Sequence, residues 1–319
     1  MSLEEVLYVH EPVLLGAVLE LLAPPGGDAC LVDATLGEGG HAEAFLQRFP
    51  GLTLLGVEKD GEILEKAERR LAPFGARVSL FHCGFADFFE GWAALGRRAP
   101  ERILMDLGVS MFHFEESGRG FSFRGDEPLD MRLDPRGGRT AAQLLERSGR
   151  EELAGILETY GEEPRARRIA AAIVRHREQQ GPVTRTGELA RIVAGAVPPE
   201  ARRGRLHPAT RTFQALRIAV NGELDELERA LPAALAALAP GGRMGVIAFH
   251  SLEDRIVKRF FRDRARTCTC PPEWPICQCG GQSALEILTR KPVTAGAEEL
   301  RANPASRSAK LRVVEKKQG

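Results

Sequence analysis

The sequence predicts an α/β protein, a doubly wound parallel sheet whose chain is interrupted by a helical insertion. Short apolar runs that end in acids alternate with helical patterns up to Asp106, the rhythm of a parallel sheet. A glycine-rich turn follows the first run. The alternation then stops for about a hundred residues and resumes near the C-terminus. At 319 residues and 43% hydrophobic content, the chain is long enough for two domains with separate cores.

Cys30-Leu-Val-Asp33 reads as the first strand, and Gly37-Glu-Gly39-Gly40-His41 as the turn into the first sheet-covering helix. Glycine carries no Cβ and tolerates positive φ, so such a turn lets backbone approach a ligand closely. Leu54 to Asp60 is the second strand, with Glu58 at its tip, where a carboxylate accepts hydrogen bonds from a ribose diol. Arg77 to His82 and Arg102 to Asp106 are the third and fourth. Ligands of parallel sheets sit beyond the carboxyl ends of the strands, and Asp33, Glu58, Phe85 and Asp106 all fall there. Phe85 either packs on an adenine or belongs to the core, as an isolated Phe commonly does.

Beyond Asp106 comes a polar loop broken by Gly and Arg, from Gly118 to Asp134, followed by helical patterns over 141–146, 150–160, 165–178 and 187–196. Ile169, Ala170 and Ile173 recur at helical spacing beneath an arginine-bearing face. A long helix is expected from Thr210 to about Ala239, stopped by Pro240-Gly241-Gly242. The strand Arg243 to Phe249 then delivers His250, Ser251, Glu253 and Asp254 to another carboxyl end, and 285–290 with 308–314 form a final antiparallel pair. The expected domains are 1–112 with 212–319, and an insertion over 113–211.

Charge sums to zero, yet it is segregated. Residues 1–115 carry 9 basic and 18 acidic groups, a net of about −9, while residues 165–211 carry 11 Arg and 3 Glu, a net of about +8. Clustered guanidinium groups supply phosphate contacts, so the insertion is expected to meet nucleic acid. The competing reading is a solvated helix face in an arginine-rich composition. No apolar run approaches the ~20 residues of a membrane span, and the N-terminal residues are acidic where a signal peptide is basic; the expectation is a cytoplasmic protein.

The spacing Gly37-x-Gly39-x-x-Ala42 with Glu58 downstream also satisfies the dinucleotide fingerprint, so the glycines alone do not separate a nicotinamide cofactor from S-adenosylmethionine. Asp33 tips the reading. A carboxylate just before the turn opposes a diphosphate and suits a phosphate-free cofactor with an amino-acid tail. Capping of the turn by Asp33 is the simpler alternative.

Longer motifs carry a resemblance. His10-Glu-Pro-Val-Leu-Leu15, Asp33 through His41, Asp106-Leu-Gly-Val-Ser110, Arg119-Gly-Phe-Ser-Phe123, Pro128 through Asp134, His207 through Arg217, Phe249 through Arg255 and Asn303-Pro-x-x-Arg307-Ser308 resemble, nearly end to end, the ribosomal small subunit methyltransferase H family, which N4-methylates a cytosine of 16S rRNA. The resemblance implies a class I S-adenosylmethionine-dependent methyltransferase fold (Rossmann-like), with a helical insertion that recognises RNA. It implies S-adenosylmethionine as methyl donor and 16S rRNA of the small ribosomal subunit as substrate. By matching motif, the cofactor contacts are Gly39, Gly40, His41, Glu58, Phe85, Asp106 and His113. Glu58 departs from the family's commoner Asp, and Met111-Phe112-His113 replaces a more frequent Ser-x-Gln type sequence.

An exocyclic cytosine amine is a poor nucleophile because its lone pair is delocalised into the ring, so the enzyme must orient it and accept its proton. Asp106 is the first candidate, holding either the donor's amino-acid tail or the target amine. His250 touches the target base or caps the helix that follows. A His250–Ser251 hydrolase is discounted because no Gly-x-Ser-x-Gly elbow surrounds Ser251. Asp130 and Arg132 form a lid over the base or a salt-bridged loop anchor. Cys268-Thr-Cys270 and Cys277-Gln-Cys279 are spaced more tightly than zinc knuckles, and no metal is assigned. Two rival functions stand beside the methyltransferase: an RNA-binding assembly factor that keeps the fold, and a nicotinamide-dependent oxidoreductase.

Overall fold

A computed structural model of the chain describes residues 12–199, 207–267 and 283–318. His10 and Glu11 of the first motif, Arg202, Arg203 and Arg205 of the basic stretch, and Cys268, Cys270, Cys277 and Cys279 lie outside the described residues. The chain divides into two compact units, Met1–Gly108 with Glu226–Gly319, and Val109–Asp225.

The first unit is built on a seven-stranded sheet. Its strands are β1 (Cys30–Asp33), β2 (Thr53–Glu58), β3 (Val78–His82), β4 (Arg102–Asp106), β5 (Arg243–Ala248), β6 (Leu285–Ile287) and β7 (Lys310–Lys316). They lie in the order β3-β2-β1-β4-β5-β7-β6. The first five are parallel, and β7 runs antiparallel to its neighbours β5 and β6. That is the doubly wound architecture the sequence predicts, with the antiparallel pair at the end of the sheet.

Strands covered on both faces read as continuous apolar runs, and successive residues point to opposite sides. Val32, Leu55, Ile103, Met105 and Val246 enter one core with α4 (Phe85–Glu90), α11 (Glu223–Ala237) and α12 (Ser251–Arg264). Their neighbours Leu31, Leu54, Leu104 and Ile247 enter the other, with α1 (Leu15–Leu21), α2 (Gly40–Arg48) and α3 (Gly61–Leu71). At the start of α1, Leu14 holds a positive φ of 56° while its N–H donates to Glu299 Oε1 at 2.6 Å, in α13 (Ala297–Ala302).

Among the described residues the second unit is helical: α5 (Met111–Glu115), α6 (Ala141–Arg147), α7 (Arg150–Gly161), α8 (Ala166–Gln180), α9 (Thr186–Ala196) and α10 (Thr210–Asn221). Its own core gathers Leu144, Leu157, Ile169, Ile173, Val193 and Phe213. Gly161 ends α7 where a Cβ would sit 2.7 Å from the Arg211 carbonyl oxygen of α10, so only glycine admits that crossing. The single helix expected over 210–239 is two. Gly222, at φ 63°, caps α10 in the left-handed conformation and the chain restarts as α11. No described helix is long and apolar enough to cross a membrane.

In the polar loop Arg132 forks onto Asp130, with Nε–Oδ1 at 2.7 Å and Nη2–Oδ2 at 2.8 Å, and Arg119 donates to the carbonyls of Arg132 and Leu133, both at 3.0 Å. These are the contacts of a salt-bridged loop anchor. Met131 between them is buried at φ 62°. Its backbone is held by Arg119 O, which accepts at 2.8 Å, and by Asn221 Nδ2, which donates at 2.8 Å.

Candidate active site

Parallel pairing of β2, β1, β4 and β5 puts Glu58, Asp33, Asp106 and the β5–α12 turn on one edge of the sheet. The turn after β1 is laced between its neighbours, since Ala34 N donates to Leu104 O and Leu36 N to Val57 O, both at 2.9 Å. Gly37 and Gly39 lie at φ 53° and 81°, Gly39 as the N-cap of α2, and a Cβ on Gly37 would meet open space. At Gly40 a Cβ would come within 2.7 Å of Pro12 Cγ. One glycine thus leaves backbone open to a ligand, and another admits the N-terminal segment.

Glu58 ties this turn to β2. Its carboxylate accepts from Gly37 N at 2.9 Å and from Lys59 N and Asp60 N at 2.8 Å each. Those bonds oppose the burial that pushes its carboxyl up to about 7. A carboxylate has capacity for further donors, as a ribose diol requires.

Asp33 is 1% exposed, and Thr35 N approaches its Oδ1 at only 3.4 Å. Burial, opposed by that contact and reinforced by Glu58, pushes the Asp33 carboxyl up to about 7. Asp106 ends β4, its N–H donated to Thr35 Oγ1 at 2.5 Å, with Oδ1 buried and without a hydrogen-bond partner. Burial first, then Asp33 and Glu253, raise its carboxyl well above the usual range. Oδ2 lies 3.6 Å from His41 Nδ1, and His41 Nε2 lies 3.0 Å from Val13 O. Among the described residues no Lys or Arg pairs with Asp33, Glu58 or Asp106.

Phe85 opens α4 after Gly84 and is half-buried against the sheet core. His250 is the N-cap of α12. Its Nδ1 accepts from Glu253 N at 3.4 Å, while Glu253 Oε2 accepts from Phe249 N at 2.8 Å and His250 N at 3.2 Å. The helix-capping alternative is therefore what the local geometry displays. Glu253, read in the sequence only as a strand-end acid, carries that cap and bears on Asp106; the His-x-x-Glu spacing was its signal. Val13 is a partner that no local pattern announced.

His113 lies in the second unit on α5, buried, with its ring centroid 4.8 Å from that of Phe121 and 5.8 Å from that of Phe112. Arg167, Arg168 and Arg175 are exposed on α8. Arg177 instead donates to the carbonyls of Leu145, Glu146 and Ser148 at the end of α6, at 2.6, 2.9 and 2.7 Å, and Arg185 pairs with Asp126 at 2.7 Å. Among its described residues, the basic stretch divides between guanidinium groups held by backbone or acid and an exposed face on α8.

Asp33, buried just before the glycine turn with no cation beside it among the described residues, is unfavourable to a diphosphate there, and the nicotinamide reading is not favoured. The strand-tip carboxyls fit a cationic ligand, and the buried Asp106 Oδ1 fits a donor that no described residue supplies.

A family model described as the MraW methylase family matches residues 7–317. A Treponema denticola protein named "Ribosomal RNA small subunit methyltransferase H" is 53% identical over 309 residues, covering 97% of each chain. Proteins of the same name from Heliobacterium modesticaldum and Symbiobacterium thermophilum are 51% and 50% identical, covering 96% and 97% of this chain and 98% and 97% of their own. Matched along nearly its whole length by the family and by relatives at half identity, and carrying an acid-tipped parallel sheet, the chain belongs to the MraW methylase family.

Proposed function

We propose that the protein uses S-adenosylmethionine to methylate the exocyclic N4 amine of a cytosine in the decoding region of 16S rRNA, on the small ribosomal subunit in the cytoplasm. The observation that carries this reading is the row of Glu58, Asp33 and Asp106 on adjacent strand tips beside an open glycine turn, with no cation among the described residues to balance them.

Bound there, S-adenosylmethionine supplies an electrophilic methyl group on a positively charged sulfur. Glu58 would accept hydrogen bonds from the ribose hydroxyls, Phe85 would pack on the adenine, and the backbone of Gly39, Gly40 and His41 would line the turn. Asp33 and Asp106 offset positive charge, and Asp106 is placed to orient the target amine and take its proton. His250 holds the β5–α12 turn through its cap.

The second unit is the RNA-recognition element in this reading. Arg167, Arg168 and Arg175 leave their guanidinium groups to phosphates. Replacing all three by Ala should weaken binding to small-subunit RNA, lower the slope of log K against log salt by about 3, and leave the Kd for S-adenosylmethionine unchanged. Filter binding across a salt series checks this; an unchanged slope would remove α8 from the interface.

Incubating purified protein with methyl-labelled S-adenosylmethionine and undermethylated small subunits, then mapping the label, tests the whole reading. Label on a cytosine N4 is the expected result. Cofactor binding without any incorporation would favour the assembly-factor function instead.

A further inference from the structure

The carbonyl of Val13 can only accept a hydrogen bond, so the His41 Nε2 that lies 3.0 Å from it carries a proton. In a neutral ring Nδ1 then carries a lone pair, and it faces Asp106 Oδ2 at 3.6 Å. Two acceptors so placed repel each other unless a proton stands between them. The other Asp106 oxygen is buried and without a partner, a costly position for an ionised group.

The surroundings add acids. Asp33 faces Asp106 from the tip of β1 and Glu253 from α12, and Glu58 on β2 faces Asp33 in turn. Burial lowers His41 to about 4 and raises Asp106, a direction that agrees with a proton on the carboxyl and not on the ring.

We propose that Asp106 holds a proton against His41 Nδ1 in the ligand-free protein and surrenders it when S-adenosylmethionine binds at the strand tips, a coupling that rests on the cofactor reading above. On binding, the Oδ2–H bond breaks, the proton passes to a base of the solvent buffer, and the electron pair stays on the carboxylate opposite the ligand's positive charge. His41 is a positioning residue: its fixed tautomer holds the proton-bearing oxygen in place. S-adenosylhomocysteine lacks the sulfonium charge and expels less proton. Discrimination of cofactor over product therefore grows as pH rises. While Asp106 remains protonated in the free protein, each proton released lowers the Kd for S-adenosylmethionine about tenfold per pH unit.

Calorimetric titration of the full chain, in pairs of buffers with different ionisation heats across about pH 6 to 8.5, counts the protons released. Release with S-adenosylmethionine, less with S-adenosylhomocysteine, is the expected result. The near-isosteric Asp106→Asn should release fewer protons and show a flatter Kd against pH. In the wild-type protein, nitrogen-15 shifts of His41 should report an unprotonated Nδ1 facing the acid proton, and they should move when S-adenosylmethionine is added, a readout that needs no variant. Binding with no proton release, an Asp106→Asn count equal to wild type, or a protonated Nδ1 in the free protein would each overturn the coupling while leaving the cofactor site intact. Failure to bind S-adenosylmethionine at any pH would instead bring down the cofactor reading, and the coupling with it.

Discussion

Asp33→Asn should make the ligand-free protein more stable at pH 8 and at the same time weaken S-adenosylmethionine binding at least tenfold, a direction opposite to that of most buried substitutions. The cause is the carboxyl at the end of β1, 1% exposed and pushed up to about 7 from an ordinary value near 4. Because the folded state holds this proton more tightly than the unfolded chain, the stability it lends is full below pH 4. It is lost as pH rises from 4 through 7, and the loss stays constant above. A shift of that size corresponds to about 4 kcal/mol at the upper limit. The amide is the neutral isostere and escapes the penalty. Melting curves of wild type and variant should therefore converge near pH 4 and separate by on the order of 5 °C or more at pH 8. Parallel melting at every pH would show that Asp33 carries no burial penalty.

Gly120→Ala should be the most damaging small substitution in the second unit. Gly120 sits at φ 77°, and an added Cβ would run into the Pro128 carbonyl oxygen, with Thr186 Cγ2 at 3.0 Å and the Leu129 Cα at 3.2 Å. Backbone and a packed β-branched side chain cannot step aside, so strain and overpacking add to roughly 3–5 kcal/mol. Gly118→Ala, also at positive φ but with nothing within 4 Å, isolates the backbone contribution and should cost only about 1 kcal/mol. Limited proteolysis and thermal melting read the difference, and methylation of small subunits should fall with the first variant far more than with the second. Equal losses would mean that the Pro128 contact carries no weight.

The parallel strands were legible because each is a short apolar run closed by a charge or turn, the pattern that burial on both faces demands. Helices α6 to α9 were legible from 3.6-residue spacing, and their observed ends fall within two residues of the expected ones, whereas the short α5 was not read at all. The break at Gly222 was not. Asn221-Gly222 interrupts a run whose apolar spacing continues on either side, and an isolated glycine within a helical pattern is read as tolerated until its φ is known. The candidate site divides in the same way. Asp33, Glu58 and Asp106 announce themselves because strand ends and acids are both local signals. The Val13 carbonyl that fixes the His41 tautomer stands 28 residues upstream, and Glu253 bears on Asp106 only because β5 lies beside β4. Contacts between distant segments leave no trace in local spacing.

The pairing of β4 with β5 has a consequence for how the molecule is made. β4 ends at Asp106 and its partner begins at Arg243, so the ribosome delivers the entire helical segment before the sheet can be completed. Through that interval a nascent four-stranded half, its Ile103 to Met105 row fully apolar, presents a bare hydrogen-bonding edge. Self-association of the unfinished chain competes with its closure, and β7, whose antiparallel register with β5 runs from Lys310 to Glu315, arrives later still.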